Sequence, residues 1–555
     1  MSATCSITAT DLGGAMMKTP ILTSLCETIS LDLVGRPSVT GSVDEQSFGP
    51  WLAEYLAGLG CFGATPDIWT FPVAPGDGRQ VVALLVRGIG QRTVVLTGHF
   101  DTVTIDDYGP LKPLACHPHA LRDALLARCK DGAEPAEALA YTDLQSGEFL
   151  PGRGLLDMKA GLAAGLDAMA RIVAEGAFSG NLLFLAVPDE ENASVGARAA
   201  AAMLANIARN KGLAIAAAIN LDAISDLGDG SAGRVLALGT VGKVLPTAFV
   251  VGRPVHSGYA LRGVNAAVLA AAIAARLEWA PELTDDSAGV PGTAASLLSF
   301  KDSKAGYDVT TPATAFLFWN VLVHTRNPAA ILDIVAGLVE DAARDCLAKL
   351  AQRAALSGHA ADASALAGSV AVLRYGDLLS EVLAKDANAA AELDGVIVSS
   401  AGRDLPDRCR RVTEALWAMS GRAGPAVVLG LGSIPYLATT VQDARISAVI
   451  DAFLADIPAN YPTSLRADAY FAGISDMSFF GQADDAAFAA LAADTPIWQA
   501  AVGLGTGSLG QVPTVNLGPW GRDYHTPLER IHVDYGFHIL PALIADLTRR
   551  ILAVD

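Results

Sequence analysis

The chain has 555 residues, of which 52% are hydrophobic, and a formal net charge of −19 at pH 7. This length suffices for two or three domains with sizeable cores. The acidic excess argues against binding to nucleic acid or to an anionic membrane, because phosphate groups are bound by basic surfaces.

The sequence contains no segment that predicts export or insertion into a membrane. Its longest apolar run, 266–275, is too short to span a bilayer and is flanked by Arg262 and Arg276. The first 14 residues lack a basic stretch followed by an apolar one, so no secretory signal is predicted. The seven cysteines are scattered without a Cys-x-x-Cys pair, which favours reduced thiols. We therefore expect a cytoplasmic protein.

The first part of the chain alternates predicted helices and strands. The predicted strands are 67–73, 81–87, 93–97, 181–187 and 214–221, and the predicted helices are two within 21–60, one at 158–174 and one at 194–210. A long polar insertion occupies 104–150. Alternation of strands and helices predicts an α/β fold with a doubly wound, mostly parallel sheet.

The pattern changes after Gly242. Strands at 247–252 and 313–323, a helix at 262–277 and a longer helix from Pro328 predict a two-layer α+β domain inserted into the first. The Ala/Ser/Gly-rich stretch 355–369 is the expected return linker. We expect the main domain to comprise 1–242 and 371–555, and the inserted domain 243–370.

The stretch TVVLTGHFDTV (93–103) is a predicted strand that ends in candidate functional residues. Its aliphatic run is typical of a buried parallel strand. His99 and Asp101 follow at the carboxyl end, the edge where open α/β sheets bind ligands. A histidine there can bind a metal through one ring nitrogen while a carboxylate holds the other. Taken alone, such a pair more often forms a structural hydrogen bond.

Acidic or imidazole side chains stand next to several other predicted elements. They are Asp157 in GRGLLDMKAG, Glu190 and Glu191 in VPDEENASVG, Asp222 in AAAINLDAIS and His525 in DYHTPLE. Each has an ordinary explanation when it is considered alone. Asp157 can cap the helix that follows it, and the others can lie in solvated turns or loops.

The combination of these residues favours a metal centre. In a doubly wound sheet the ends of the parallel strands lie along one edge, so the side chains should converge there. Two imidazoles and three carboxylates, one of them bridging, match the ligands of a pair of Zn²⁺-like ions. A remaining carboxylate can then act as a general base.

Four motifs, GHFDTV, GRGLLDMKAG, VPDEEN and HTPLE, resemble the metal-binding blocks of the M20 metallopeptidase family, which includes the aminoacylases. The blocks occur in order along nearly the whole chain. Further stretches, ALGTVGKVLP, DSKAGYDVTTP, LWAMSG and YFAGISDMSFF, resemble the RocB-like branch of predicted deacylases of arginine utilization. The resemblance implies a catalytic domain with an inserted lid domain, through which two copies form a homodimer.

The resemblance also implies a role for each candidate residue. His99, Asp157 and Asp222 would hold one divalent ion, and Asp157, Glu191 and His525 the other. Asp101 would orient His99, and Glu190 would be the general base that passes a proton from water to the leaving amine. His256, in GRPVHSGYALRG, resembles the lid histidine that stabilises the oxyanion, often across a dimer interface. Zn²⁺ is the expected metal, and Mn²⁺ or Co²⁺ also suits these ligands.

The chain departs from the family pattern in the inserted segments. The spacing from His99 to Asp157 is longer because of the 104–150 insertion. The family's usual arginine in the inserted domain has no clean counterpart, although Arg326 is near. The sequence CHPH (116–119) fits either a third metal site or an ordinary insertion loop.

We predict a two-metal hydrolase that cleaves an N-acyl or peptide-like amide bond of a small amino-acid-type substrate. An aminopeptidase or dipeptidase, which would require a free α-amine, is the alternative within the family. A retired scaffold that acts as a binding protein is the alternative from another class, although every expected ligand is present. The GTGSLG stretch (505–510) matches G-x-G-x-x-G, but no helix follows it, so no dinucleotide site is predicted.

Overall fold

The computed structural model describes residues 24–130, 132, 134–226, 233–286, 291–358, 370–471, 473–482, 485–503 and 510–554. The predictions for the first 14 residues, for most of the 355–369 linker and for most of GTGSLG concern residues outside this description.

The main domain begins with alternating helices and strands. Its elements are α1 (Leu25–Val34), α2 (Val43–Gly58), β1 (Asp67–Pro72), β2 (Gln80–Arg87), β3 (Ile89–His99), α3 (Pro118–Cys129), α4 (Pro135–Ser146), β4 (Phe149–Pro151), α5 (Ala160–Ala174), β5 (Ser179–Val187), α6 (Val195–Lys211), β6 (Ala214–Asn220), β7 (Ile224–Asp226), β8 (Val235–Ala237) and β9 (Gly239–Thr240). Helices α3 and α4 belong to the 104–150 insertion.

A second sheet and its helices follow. The elements are β10 (Gly242–Val244), β11 (Pro246–Val251), α7 (Ala266–Leu277), β12 (Ser296–Asp302), β13 (Thr314–Val323), α8 (Pro328–Leu356), β14 (Ala371–Arg374), α9 (Tyr375–Lys385), α10 (Ala389–Ser399), α11 (Leu405–Met419) and β15 (Ala426–Leu431).

The chain then returns to the main domain. The remaining elements are β16 (Thr439–Thr440), α12 (Ala444–Asn460), β17 (Arg466–Asp468), α13 (Met477–Phe480), α14 (Asp485–Ala493), β18 (Thr514–Asn516), β19 (Trp520–Arg522), β20 (Arg530–His532) and α15 (Leu540–Leu552).

The main sheet has eight strands in the order β1-β2-β5-β3-β6-β18-β8-β17. Strand β3 lies between β5 and β6 and runs parallel to both, and β18 runs parallel to β6. Strands β1 and β2 form an antiparallel edge. Because the chain crosses from β5 on one side of β3 to β6 on the other, the end of β3 is a topological switch point. The predicted α/β fold is confirmed.

Both faces of the main sheet are buried. Successive side chains of a strand point to opposite faces, and in β2 Val82 and Leu84 enter one apolar cluster while Val81 and Leu85 enter another. Helices α1, α5 and α15 cover the first face, and α6 covers the second. This two-sided burial explains the near-continuous apolar sequence of the central strands.

The second sheet has the order β10-β13-β11-β15-β14, and β12 also pairs with β13. Alternation along β11 again separates two cores. Ala248 and Val250 pack with α7 and α8, whereas Phe249 and Val251 pack with α9 and α11. The predicted inserted domain is therefore present, and a layer of helices also covers the second face of its sheet.

Two strands of this sheet, β14 and β15, come after residue 370, where the sequence predicts the return to the main domain. We propose that the inserted domain extends to Leu431. The buried run of β15 is apolar at every position and would fit the core of either sheet, so its sequence alone does not identify its partners.

Among the described helices, none combines the length and the apolar sequence needed to cross a membrane. The six cysteines in the described part of the chain are all free thiols.

Candidate metal centre

The candidate ligands lie at the switch point of the main sheet. His99 is the last residue of β3, Glu190 and Glu191 follow β5, and Asp222 follows β6. Asp157 lies between β4 and α5, and His525 lies in the connection between β19 and β20. The predicted convergence of strand ends accounts for His99, Glu190, Glu191 and Asp222, whereas Asp157 and His525 reach the same place from connections outside the main sheet.

Gly98 allows the Asp157 turn to approach the end of β3. The Met158 side chain packs over Gly98, where a Cβ atom would overlap its terminal methyl group. The His99 backbone N–H also donates a hydrogen bond to Met158 Sδ, at 3.2 Å. Helix α5 begins only at Ala160, with Lys159 at its N-cap, so Asp157 is not a helix cap. Its carboxylate instead faces the two histidines.

Asp157 lies between two imidazoles. Its Oδ1 is 3.2 Å from His99 Nε2, and its Oδ2 is 3.1 Å from His525 Nε2. Each oxygen of one carboxylate therefore faces a different histidine. This is the arrangement that a bridging ligand between two cations requires.

Two groups of three possible ligands share Asp157. One consists of His99, Asp157 and Asp222, the other of Asp157, Glu191 and His525, and within each group the ligand atoms lie within 4.8 Å of one another. His99 Nε2 is 3.8 Å from Asp222 Oδ1, and His525 Nε2 is 3.1 Å from Glu191 Oε2. These are the two sets that the family resemblance implies. In the described part of the chain no comparable group includes CHPH.

Glu190 lies beside the first group, with Oε2 at 3.9 Å from His99 Nε2. Burial raises the pKa of Glu190, and His99 opposes that shift. Burial likewise raises the pKa of Glu191 and of Asp222, with hydrogen bonds from the histidines opposing it. For Asp157, burial is outweighed by His525 and His99, which hold its pKa below the usual range. Crowded carboxylates and imidazoles of this kind fit hard or borderline divalent cations.

Asp101 contacts both His99 and the Glu190–Glu191 turn. Its backbone oxygen is 3.0 Å from His99 Nδ1, and its Oδ1 is 3.6 Å away. Its carboxylate also accepts hydrogen bonds from the backbone N–H groups of Glu190, at 3.1 Å, and Glu191, at 3.3 Å. Asp101 therefore links the histidine to the turn that carries the candidate base.

Asn516, on β18, holds Asp222 in place. Its Oδ1 accepts a hydrogen bond from the Asp222 backbone N–H at 3.0 Å, and its Nδ2 donates to the Asp222 carbonyl at 2.9 Å. Sequence reasoning missed this residue, although its strand, β18, precedes β19 and the HTPLE motif closely in the sequence.

A buried ion pair supports the Asp157 turn. Glu529 Oε1 accepts hydrogen bonds from the backbone N–H groups of Leu156, at 3.2 Å, and Asp157, at 3.4 Å. Arg153 donates to Glu529 Oε2 at 3.0 Å and to Asp107 at 2.6 Å. Arg153 lies within GRGLLDMKAG and Glu529 within HTPLE, but the sequence alone predicts no role for either residue. Asp107 belongs to the 104–150 insertion, which therefore contributes to this support.

His256 is not brought together with the other predicted site residues. It is exposed at the start of the Ser257–Arg262 turn and accepts a hydrogen bond from the Gly258 backbone N–H at 3.1 Å. The metal cavity has a volume of about 330 Å³ and is lined by Glu190 and by all the ligands except His99. His256 does not line it.

The same cavity is also lined by side chains that are not candidate metal ligands and could contact a substrate. Lys243, Tyr436 and Tyr524 also line it. A second cavity of about 450 Å³ adjoins it and shares four lining residues, among them Phe471 and Tyr524. The metal centre therefore opens into space that can hold a substrate larger than the reacting amide.

Solved structures with the same fold include two peptidases. A tripeptidase from Staphylococcus aureus subsp. aureus mu50 has a TM-score of 0.50 and 15% sequence identity to this chain. The alignment covers 96% of this chain and 98% of the tripeptidase. The aminopeptidase PepT from Bacillus cereus ATCC 10987 also has a TM-score of 0.50 and 15% sequence identity. That alignment covers 95% of this chain and 98% of PepT. At this identity the likeness concerns the fold.

Two proteins of Bacillus subtilis (strain 168) are similar along almost the whole sequence. The chain is 29% identical over 521 residues to the uncharacterized protein YqjN, covering 92% of this chain and 94% of YqjN. It is 27% identical over 551 residues to RocB, and the alignment covers 95% of this chain and 94% of RocB. The predicted resemblance to the RocB-like branch is confirmed. Residues 95–535 match peptidase family M20/M25/M40. The chain therefore belongs to that family and is a metal-dependent hydrolase.

Proposed function

We propose that this protein is a two-metal amidohydrolase that cleaves an N-acyl or peptide-like amide bond of an amino-acid-type substrate. The observation that carries the proposal is the position of the Asp157 carboxylate, with one oxygen facing His99 and the other facing His525. Two ligand groups that share one carboxylate suit a pair of divalent ions, for which Zn²⁺ is the first candidate and Mn²⁺ or Co²⁺ the next.

In this proposal the two histidines, Asp157, Glu191 and Asp222 hold the ions, and Glu190 transfers a proton. When bound, a pair of divalent ions lowers the pKa of water and polarises a carbonyl group. Glu190 takes the proton from the attacking water and delivers it to the nitrogen of the leaving amine. Burial supports this role, since it raises the pKa of Glu190 towards the range in which a carboxyl group can accept and return a proton.

The remaining finer features of the proposal come from the family resemblance. His256 stabilises the oxyanion of the tetrahedral intermediate, reaching the site from the inserted domain of a second copy in a homodimer. Its exposure and its absence from the cavity of its own chain agree with action across an interface. From the resemblance to the RocB-like branch we also propose a cytoplasmic role in arginine utilization.

The test is hydrolysis of a library of N-acyl amino acids and dipeptides by the purified protein with added Zn²⁺, Mn²⁺ or Co²⁺. We expect hydrolysis of members of the N-acyl set. Chelation should abolish it, and Glu190→Gln should lower kcat by a factor of at least about 10² because the proton acceptor is lost. Glu54→Gln, at an exposed position that does not line the cavity, is the matched control and should keep full activity.

One outcome would contradict the proposed mechanism, and a second would change the proposed substrate. Activity that survives both chelation and Glu190→Gln would exclude the mechanism. Cleavage restricted to substrates with a free α-amine would identify an aminopeptidase or dipeptidase instead of a deacylase.

A further inference from the structure

Lys243 differs in charge from the acidic groups around the metal cavity. Four carboxylates line this cavity, and Lys243 is the one Lys or Arg among its described lining residues. Two divalent cations would balance the four carboxylates. A protonated Lys243 then leaves the cavity with an unbalanced positive charge beside the metal centre.

The backbone of Lys243 is fixed where the chain passes between the two domains. Its N–H donates a hydrogen bond to the Tyr436 carbonyl at 2.7 Å, and the Tyr436 N–H donates to the Lys243 carbonyl at 3.0 Å. Lys243 lies in β10, where the chain passes from the main domain into the second sheet, and Tyr436 follows β15, where the chain returns to the main domain. The two hydrogen bonds therefore connect the outgoing and the returning segments of the chain. The position of Lys243 is therefore held by the scaffold of both domains.

Within the described residues, the ammonium of Lys243 forms no ion pair or hydrogen bond with a carboxylate, and the one charged group that acts on it through space is Glu190. Its nearest aromatic neighbour is the Tyr436 ring, with Nζ 5.8 Å from the centroid. The side chain is only partly exposed. A half-buried ammonium beside a cavity gains most from an anion that enters that cavity.

Arg326, the basic residue that the sequence suggests for substrate binding, is engaged elsewhere. Its guanidinium donates a hydrogen bond to the Glu282 carbonyl and lies 3.9 Å from Asp285 Oδ1. It does not line the metal cavity. Its contacts keep it within the inserted domain, so the basic group at the cavity is Lys243.

We propose that Lys243 binds the free carboxylate of the substrate, which makes the substrate class N-acyl amino acids with an ionised α-carboxyl group. This inference rests on the proposed amidohydrolase function. In this arrangement the carboxylate lies towards Lys243, and the adjoining cavity of about 450 Å³, which Lys243 does not line, leaves room for the acyl group. A free α-amine next to Lys243 would be repelled, which disfavours aminopeptidase substrates.

The experiment compares the N-acetyl amino acid that is hydrolysed fastest with its own carboxamide, which has nearly the same shape but lacks the negative charge of the carboxylate. For Lys243→Met we expect KM for the acid to rise by about 10- to 100-fold, the range of one charge-assisted hydrogen bond. The loss of activity on the carboxamide should be much smaller than the loss on the acid, and Lys243→Arg should retain part of the preference for the acid. Lys349→Met, at an exposed position on α8, is the matched control.

The outcomes separate the two proposals. If the wild type hydrolyses neither compound, the proposed function fails and this inference fails with it. If the wild type hydrolyses both at equal kcat/KM, or if Lys243→Met reduces both equally, the amidohydrolase stands and Lys243 is not the carboxylate site. Lys243→Gln gives a second neutral variant, and circular dichroism with metal content verifies that each variant is folded.

Discussion

At the scale of single residues, Asp101 shows how one buried carboxylate organises two parts of the centre. It faces His99 Nδ1 and accepts the backbone N–H groups of Glu190 and Glu191. Asp101→Asn keeps the shape of the side chain but removes its charge. We expect metal affinity or kcat/KM to fall by about 10- to 100-fold, the usual cost of losing a group that orients a ligand. Competition with a chelator and steady-state kinetics measure these two quantities.

Asp106→Asn is the control for this variant, because Asp106 is exposed and pairs with Lys112 in the insertion. It should leave metal affinity and kcat/KM unchanged. Wild-type metal affinity and kcat/KM in Asp101→Asn would contradict a role for the Asp101 charge in orienting His99 and the Glu190–Glu191 turn.

The residues of the centre differ in how far the sequence predicts them. His99, Glu190, Glu191 and Asp222 stand directly at the ends of apolar strands, where local periodicity marks a ligand edge. Asn516 and Glu529 support their partners from 294 and 372 residues away in sequence. Such contacts depend on how strands from the two halves of the main domain pair, which local periodicity does not encode.

At the scale of elements, the Asp285 carboxylate joins the segment after α7 to the connection between β13 and α8. It accepts the backbone N–H groups of His324, Thr325 and Arg326, each at 2.8 Å. Asp285→Ala leaves these donors without an acceptor in a buried position. We expect the free energy of unfolding to fall by about 3 kcal/mol at pH 7, measured by urea unfolding. Asp345→Ala, exposed on α8, should change it little.

The contribution of Asp285 should depend on pH in one direction. Burial alone would raise its pKa, but the three backbone donors outweigh burial and hold the pKa below its usual value of 3.8. A carboxyl group whose pKa is lower in the folded state stabilises the protein above its unfolded pKa and loses this effect as pH falls through the folded pKa. The difference between wild type and Asp285→Ala should therefore be constant from about pH 6 to 8 and shrink below about pH 4. A difference that grows on acidification would contradict this assignment.

In the inserted domain, the apolar pattern of the sequence predicts the strands and helices of the core but not which sheet the last two strands join. Its β11–α7–β13–α8 core follows the sequence expectation, because each element has a clear apolar face. Strands β14 and β15 join the same sheet from beyond residue 370. Their short apolar runs fit either sheet, and only pairing of β15 with β11 decides between them.

At the scale of the whole molecule, the proposed action of His256 across a dimer can be tested by mixing two inactive variants. His256→Ala lacks the oxyanion group, and Glu190→Gln lacks the base. In a mixed dimer, the site that retains Glu190 receives an intact His256 from the other subunit. We expect unfolding and refolding of an equal mixture to restore roughly a quarter of wild-type activity per chain.

Each variant refolded alone is the control and should stay inactive. A mixture that remains as inactive as its parts, although it forms dimers by size-exclusion chromatography, would show that His256 does not act across the interface.

The most direct test of the two-metal centre is the metal content of the purified chain under metal-replete conditions, measured by mass spectrometry of the bound elements. The shared Asp157 carboxylate predicts two divalent ions per chain in the wild type, about one in His525→Ala, and loss of both in Asp157→Ala. One ion or none in the wild type, or two ions retained by Asp157→Ala, would contradict a centre that is bridged by Asp157.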